Sequence, residues 1–187
     1  MNESEKKYYE QTRQILNSGN MTSIRIRIRE LKTTGSATLL PLVLELLDNN
    51  PAEDIIRDVL SMLSDLREQK CAPVIARFIS EKSRSEIVSE IITSCWESRL
   101  DYSAHLDVFA DCFLVGNYQT ALESYTVIEE MVWRSDSKSI TDCRKRLMDR
   151  ISEVNEEKMP LFHELIRTLD IGRTRNSKDH PDTYLEE

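Results

Sequence analysis

Four glycines and five prolines in 187 residues leave little material for the tight turns of a β-rich fold. Long apolar runs are missing too. No stretch approaches the ~18 uninterrupted apolar residues of a membrane span, and Met1 to Gln11 is polar with no signal-like apolar centre, which predicts a cytoplasmic chain. Cys71, Cys95, Cys112 and Cys143 are far apart and lack the paired spacing of a zinc or redox site, and each falls on an apolar helical stripe. They read as buried thiols, with no metal and no disulfide framework. There is no glycine-rich phosphate loop, no nucleophile–histidine–acid arrangement and no paired-carboxylate motif, so nothing points to an enzyme or a cofactor.

What is present is globular composition, 40% apolar and 31% charged, with a formal charge of −8 and a pI near 5.1. Such a field repels phosphate backbones and anionic membranes and favours partners that are basic or apolar. The length suits one domain or one short array.

From Ser36 to Val115 two kinds of helix alternate. Ile55, Ile56, Val59, Leu60 and Leu63 map, 32 residues on, to Ile87, Val88, Ile91, Ile92 and Cys95. Leu39, Leu42, Val43, Leu46 and Leu47 map by the same shift to Cys71, Val74, Ile75, Phe78 and Ile79. A third copy, Leu106, Phe109, Ala110, Phe113 and Leu114, follows after 35, which places three extra residues in a turn around Ser98 to Tyr102. Each set has the i, i+3 or i+4, i+7 spacing of a helix with one buried stripe.

Start signals accompany the stripes. Asn50 with Pro51 and Glu53 reads as a capped helix start, and Ser83 with Glu86 as a capping box. Pro41 and Pro73 sit near two further starts, where a missing N–H costs little. Weaker copies follow at Ala121 to Val132 and Ile140 to Ile151, then a closing helix on Met159, Phe162, Leu165, Ile166 and Leu169; Tyr8 to Leu16 and Ile24 to Leu31 open the chain. The run Ile24-Arg25-Ile26-Arg27-Ile28-Arg29 alternates like a strand. A lone strand would leave its backbone polar groups without partners, and Ile24, Ile28 and Leu31 already make a helical stripe, so helix is expected.

These helix pairs at 32 to 35 residues, with blocks such as Leu40-Pro41-Leu42-Val43 and Ala72-Pro73-Val74-Ile75, resemble HEAT repeats over about Met21 to Asp170. The resemblance implies an all-α chain forming an α-α superhelix of about four to five stacked antiparallel pairs. On that reading, residues 1–171 form a single HEAT-like domain and 172–187 a polar, disordered tail. The aspartate and arginine pattern usual between HEAT helices is not clearly reproduced, which leaves a tetratricopeptide-like or irregular α-α array as the alternative.

In the implied geometry the second helices line a concave, acidic-leaning groove, with Glu45, Arg77, Asp107 and Asp111 facing a protein or peptide partner that carries basic segments. The function expected is a scaffold or adaptor. The rival reading is nucleic-acid binding, as in DNA glycosylases resembling this class, through Arg25, Arg27, Arg29, Arg144, Arg146 and Arg150 with Trp96 and Trp133 as stacking groups. His163-Glu164 is similar to the His-Glu pairs that hold di-iron in HEAT-like deoxyhypusine hydroxylase. That chemistry needs several converging pairs, and this chain has one pair and three histidines, so no metal is expected.

Overall fold

A computed structural model describes residues 2–34, 36–48, 51–83 and 85–179. Among them lie ten α-helices and no strand: α1 (Glu3–Leu16), α2 (Met21–Thr34), α3 (Leu40–Asp48), α4 (Glu53–Ser64), α5 (Cys71–Glu81), α6 (Val88–Ser98), α7 (Leu106–Val115), α8 (Tyr118–Met131), α9 (Ser137–Asp149) and α10 (Met159–Asp179). Short 3-10 turns at Ser103–His105 and Ile151–Glu153 lead into α7 and follow α9. The chain is therefore all-α, as its stripes predict. It divides into two compact units, one of Met1–Phe78 with Thr93–Leu100 and one of Ile79–Ile92 with Asp101–Glu187.

In the first unit α1 packs on α2 and α3 on α4, while α2 also lies against α4 and α1 against α3. The arrangement is two-layered, with odd helices in one row and even helices in the other. Ile28, Leu31, Val43, Ile55, Val59 and Leu63 fill the space between. The alternating arginine run is helical: Ile24, Ile28 and Leu31 are buried while Ile26, on the opposite face, is 52% exposed. Ser94 donates to the Leu60 carbonyl at 3.4 Å and Arg67 to the Ser98 carbonyl at 2.7 Å, tying the end of α6 to α4 and to the turn after it. Arg99, just past α6, has a φ of 61°, the left-handed conformation in which helices commonly end.

The second unit repeats the scheme. α7 packs on α8 and α9 on α10, and along the rows α7 meets α9 and α8 meets α10. Its core is aromatic: Tyr102 meets Phe109 edge-on at 5.6 Å between centroids, and Phe113 meets Phe162 at 6.2 Å. Asn117 and Asp136 cap α8 and α9 by accepting from the N–H groups of Thr120 and Ser139, at 2.9 and 2.8 Å.

Several boundaries differ from expectation. The residue capping α4 is Ala52, whose carbonyl accepts from Ile55 and Ile56; Asn50 lies outside the described residues. α6 begins at Val88, so Ser83 and Glu86 sit in the turn before it and do not form its capping box. Pro41 and Pro73 do fall in the first turns of α3 and α5. Ile151 is exposed, because α9 ends at Asp149 and the stripe stops with it.

At the C-terminal end, α10 runs past Gly172 to Asp179, where the composition suggested a disordered tail; residues 180–187 lie outside the described set. The reason is packing. A Cβ on Gly172 would stand 2.4 Å from Val132 Cγ2, so this glycine admits close contact with the end of α8 and does not stop the helix. One turn on, the Arg175 guanidinium covers the Trp133 ring at 5.6 Å.

Candidate groove between α7 and α9

The row contact between α7 and α9 leaves a surface groove of about 580 Å³, floored by Leu106 and Cys143. Its walls carry both signs. Asp107 lines it from α7, with Asp111 one turn on beyond the lining; Asp142, Lys145, Arg146 and Asp149 project from α9, and Arg150 follows it. One carboxylate organises the basic side: Asp111 accepts from Arg146 Nη1 at 3.0 and 3.1 Å and from Arg150 Nη1 at 2.8 Å. Arg150 also grips Glu153 with both arms of its fork, at 2.8 and 2.7 Å, and Lys145 pairs with Asp149 at 3.0 Å. Among the described residues neither Asp107 nor Asp142 forms an ion pair.

Asp111 was expected to attract a basic partner, and Arg146 and Arg150 to attract phosphate. The structure spends both expectations on one another. The remaining arginines of the nucleic-acid reading are also engaged. Arg25 donates to Asp58 at 2.6 Å and to Asp54 at 3.0 Å, and that hydrogen bond to the guanidinium, with its charge, draws the Asp58 carboxyl below its usual range. Arg27 pairs with Glu30 at 3.3 Å and lies over the Tyr8 ring, Arg29 is 3.9 Å from Asp58, and Arg144 reaches Asp170 at 2.8 Å. All six arginines thus stand within ion-pair distance of a carboxylate. Trp96 is half-buried and Trp133 is covered on one face by Arg175. Glu45 on α3 and Arg77 on α5 are exposed in the first unit, and Asp107 is exposed in the second.

The cysteines are buried and free. Burial pushes the thiols up to about 11 at Cys71 and about 12 at Cys112 and Cys143, far from the thiolate form that reacts or binds metal. His163 is exposed beside Phe162, and no group of three metal-ligating side chains forms among the described residues.

Two residues that composition did not single out matter here. Asp142 supplies the second unpaired carboxylate of the groove. Lys158, 3% exposed, reaches under the end of α7 and donates to the carbonyls of Phe113, Leu114 and Gly116 at 3.0, 2.8 and 3.0 Å. Its ammonium satisfies carbonyls that a helix end leaves bare and sits at the negative pole of the helix dipole, which fixes the C-terminal end of the groove wall. Burial lowers its pKa, while the three acceptors use all three of its donors. A lysine in an acidic turn gives no sequence signal of that role.

No protein-family profile, curated protein or solved structure matches the chain. Among the described residues no helix is long and apolar enough to cross a membrane.

Proposed function

We propose that this chain is a non-enzymatic binding module, a HEAT-like stack of helix pairs whose α7–α9 groove receives a basic segment of a protein or peptide partner. The observation that carries the reading is the asymmetry of the groove: its arginines are held by Asp111 and Glu153, whereas Asp107 and Asp142 form no ion pair among the described residues. An incoming lysine or arginine would meet those two carboxylates over the apolar floor of Leu106, and the paired arginines would hold the walls in register. The odd-on-odd and even-on-even contacts within each unit support a repeat architecture, whose extended surfaces suit docking better than enclosed chemistry.

The test is capture of a peptide panel differing in charge. Basic peptides should bind in a salt-sensitive way, and the double replacement Asp107→Lys with Asp142→Lys should weaken them roughly tenfold or more while leaving the helical spectrum intact. Equal capture of acidic and basic peptides, or indifference to the charge reversal, rejects the groove. Retention of an oligonucleotide at low salt would instead favour the nucleic-acid reading.

A further inference from the structure

The outward face of α10 has an order that the packing of the second unit does not require. Phe162, Leu165, Thr168 and Leu169 are buried, so the opposite side carries His163, Arg167, Asp170 and Thr174, with Ile166 and Ile171 on its two flanks. These residues outline a shallow open depression along the helix. Ile171 is 49% exposed and Trp133, beside the same flank through Arg175, is 44% exposed. Paired exposed apolar groups of that size mark interaction surfaces more often than single ones do. Tryptophan is also prominent among the residues that anchor interfaces.

The sequence along this face is self-complementary. If a second copy of the helix is laid antiparallel, with the twofold axis level with the Thr168–Leu169 bond, residues equally far from that point come level with each other. Arg167 then meets Asp170 of the other copy, twice by symmetry, and His163 meets Thr174. Each of the two isoleucines flanks the seam near its own symmetry mate, and Trp133 extends the Ile171 flank. The same pairing rule sets the layers of antiparallel coiled coils, where the 3-4 spacing of positions 163, 167, 170 and 174 is the seam.

We propose that the exposed face of α10 is a self-association surface on which two copies of this chain pack antiparallel, with Ile171 and Trp133 as the apolar anchors and Arg167 with Asp170 as the pairing that sets orientation. Three turns of helix bury less than a standard interface, so the dimer is weak and concentration-dependent. Arg167 already pairs within the chain with Glu164 at 3.1 Å, and Asp170 with Arg144 at 2.8 Å and Arg173 at 3.4 Å. The second copy adds further contacts to charges held in place.

Sedimentation velocity over a concentration series up to about 1 mM tests the proposal. The expected result is a mass that rises toward twice the monomer, with Trp133 emission shifting to the blue. Arg167→Asp alone brings carboxylates level with carboxylates, and Asp170→Arg alone brings guanidinium groups level with guanidinium groups; each should weaken association roughly tenfold or more. Mixing the two variants should restore it, since every charge across the seam is then opposite. Because Asp170→Arg also removes the partner of Arg144, Ile171→Ser serves as a second probe that touches only the exposed side. Replacing His163 and Thr174 together with cysteine should give disulfide-linked dimers, because the two positions lie about 16 Å apart on one helix and cannot bridge within a chain. The native thiols, buried and held protonated, add little background. A single monomeric species at every concentration overturns the proposal, as does self-association unchanged by Arg167→Asp and Ile171→Ser.

Discussion

The charged contacts along α2–α4 and along α7–α9 are inverted images of each other. In the first, one arginine, Arg25, holds two aspartates, Asp54 and Asp58. In the second, one aspartate, Asp111, holds two arginines, Arg146 and Arg150. Both join helices of one row, and both look in sequence like unopposed clusters. Charge on such a helical surface therefore has to be counted after pairing, because an arginine that fastens one helix to the next has less to offer a phosphate. The contacts differ in what surrounds them: the second borders a groove with two carboxylates to spare.

The largest effect sharpens the contrast between such surface contacts and the buried ammonium of Lys158. Lys158→Met keeps the bulk of the side chain but leaves three carbonyls at the end of α7 unanswered, and should cost about 3 kcal/mol in urea denaturation. A loss below about 1 kcal/mol would place Lys158 among the exposed pairs.

Next comes Asp111→Asn. Its partners are one-third to two-fifths exposed, so solvent screening limits the loss to about 1 kcal/mol. The sharper readout is heparin chromatography, because the change frees Arg146, while Arg150 keeps Glu153, and should lengthen retention. Asp54→Asn should lengthen it less, since Arg25 keeps Asp58 and Arg57 loses only its long, exposed contact with Asp54 at 3.4 Å. Equal behaviour of the two variants would break the comparison.

The smallest effect is pH dependence. The Asp58 carboxyl is held below its unfolded value near 3.8, so its contribution is complete above that pH and is lost as pH falls through the folded value. Asp58→Asn should lower stability at neutral pH by up to about 1 kcal/mol and flatten the acid limb of the stability curve below about pH 4. An unchanged acid limb would mean that Asp58 and Arg25 do not act as a pair in solution.

The helices were legible because each buries a stripe at helical period. Leu39 to Leu47, Ile55 to Leu63 and Leu106 to Leu114 show the pattern without help from distant residues, and Ile24, Ile28 and Leu31 were enough to overrule an alternating run. Boundaries were harder: Ser83 has a side chain fit for capping, yet α6 begins at Val88, and α4 is capped by Ala52, which has no side-chain acceptor to announce it. The groove was only half legible. Asp107 could be assigned to an outward face from its phase on α7, yet the capture of Asp111 by residues 35 and 39 positions away depends on which helices become row neighbours. Lys158 was invisible for the same reason, its acceptors being backbone carbonyls more than forty residues earlier.

Gly172 shows how little atomic room can govern a whole helix end. Because a methyl of the neighbouring valine occupies the place where a Cβ would go, a larger residue here requires either Val132 or the last turns of α10 to give way. The width of one methyl group thus sets how closely the last helix can lie against its neighbour.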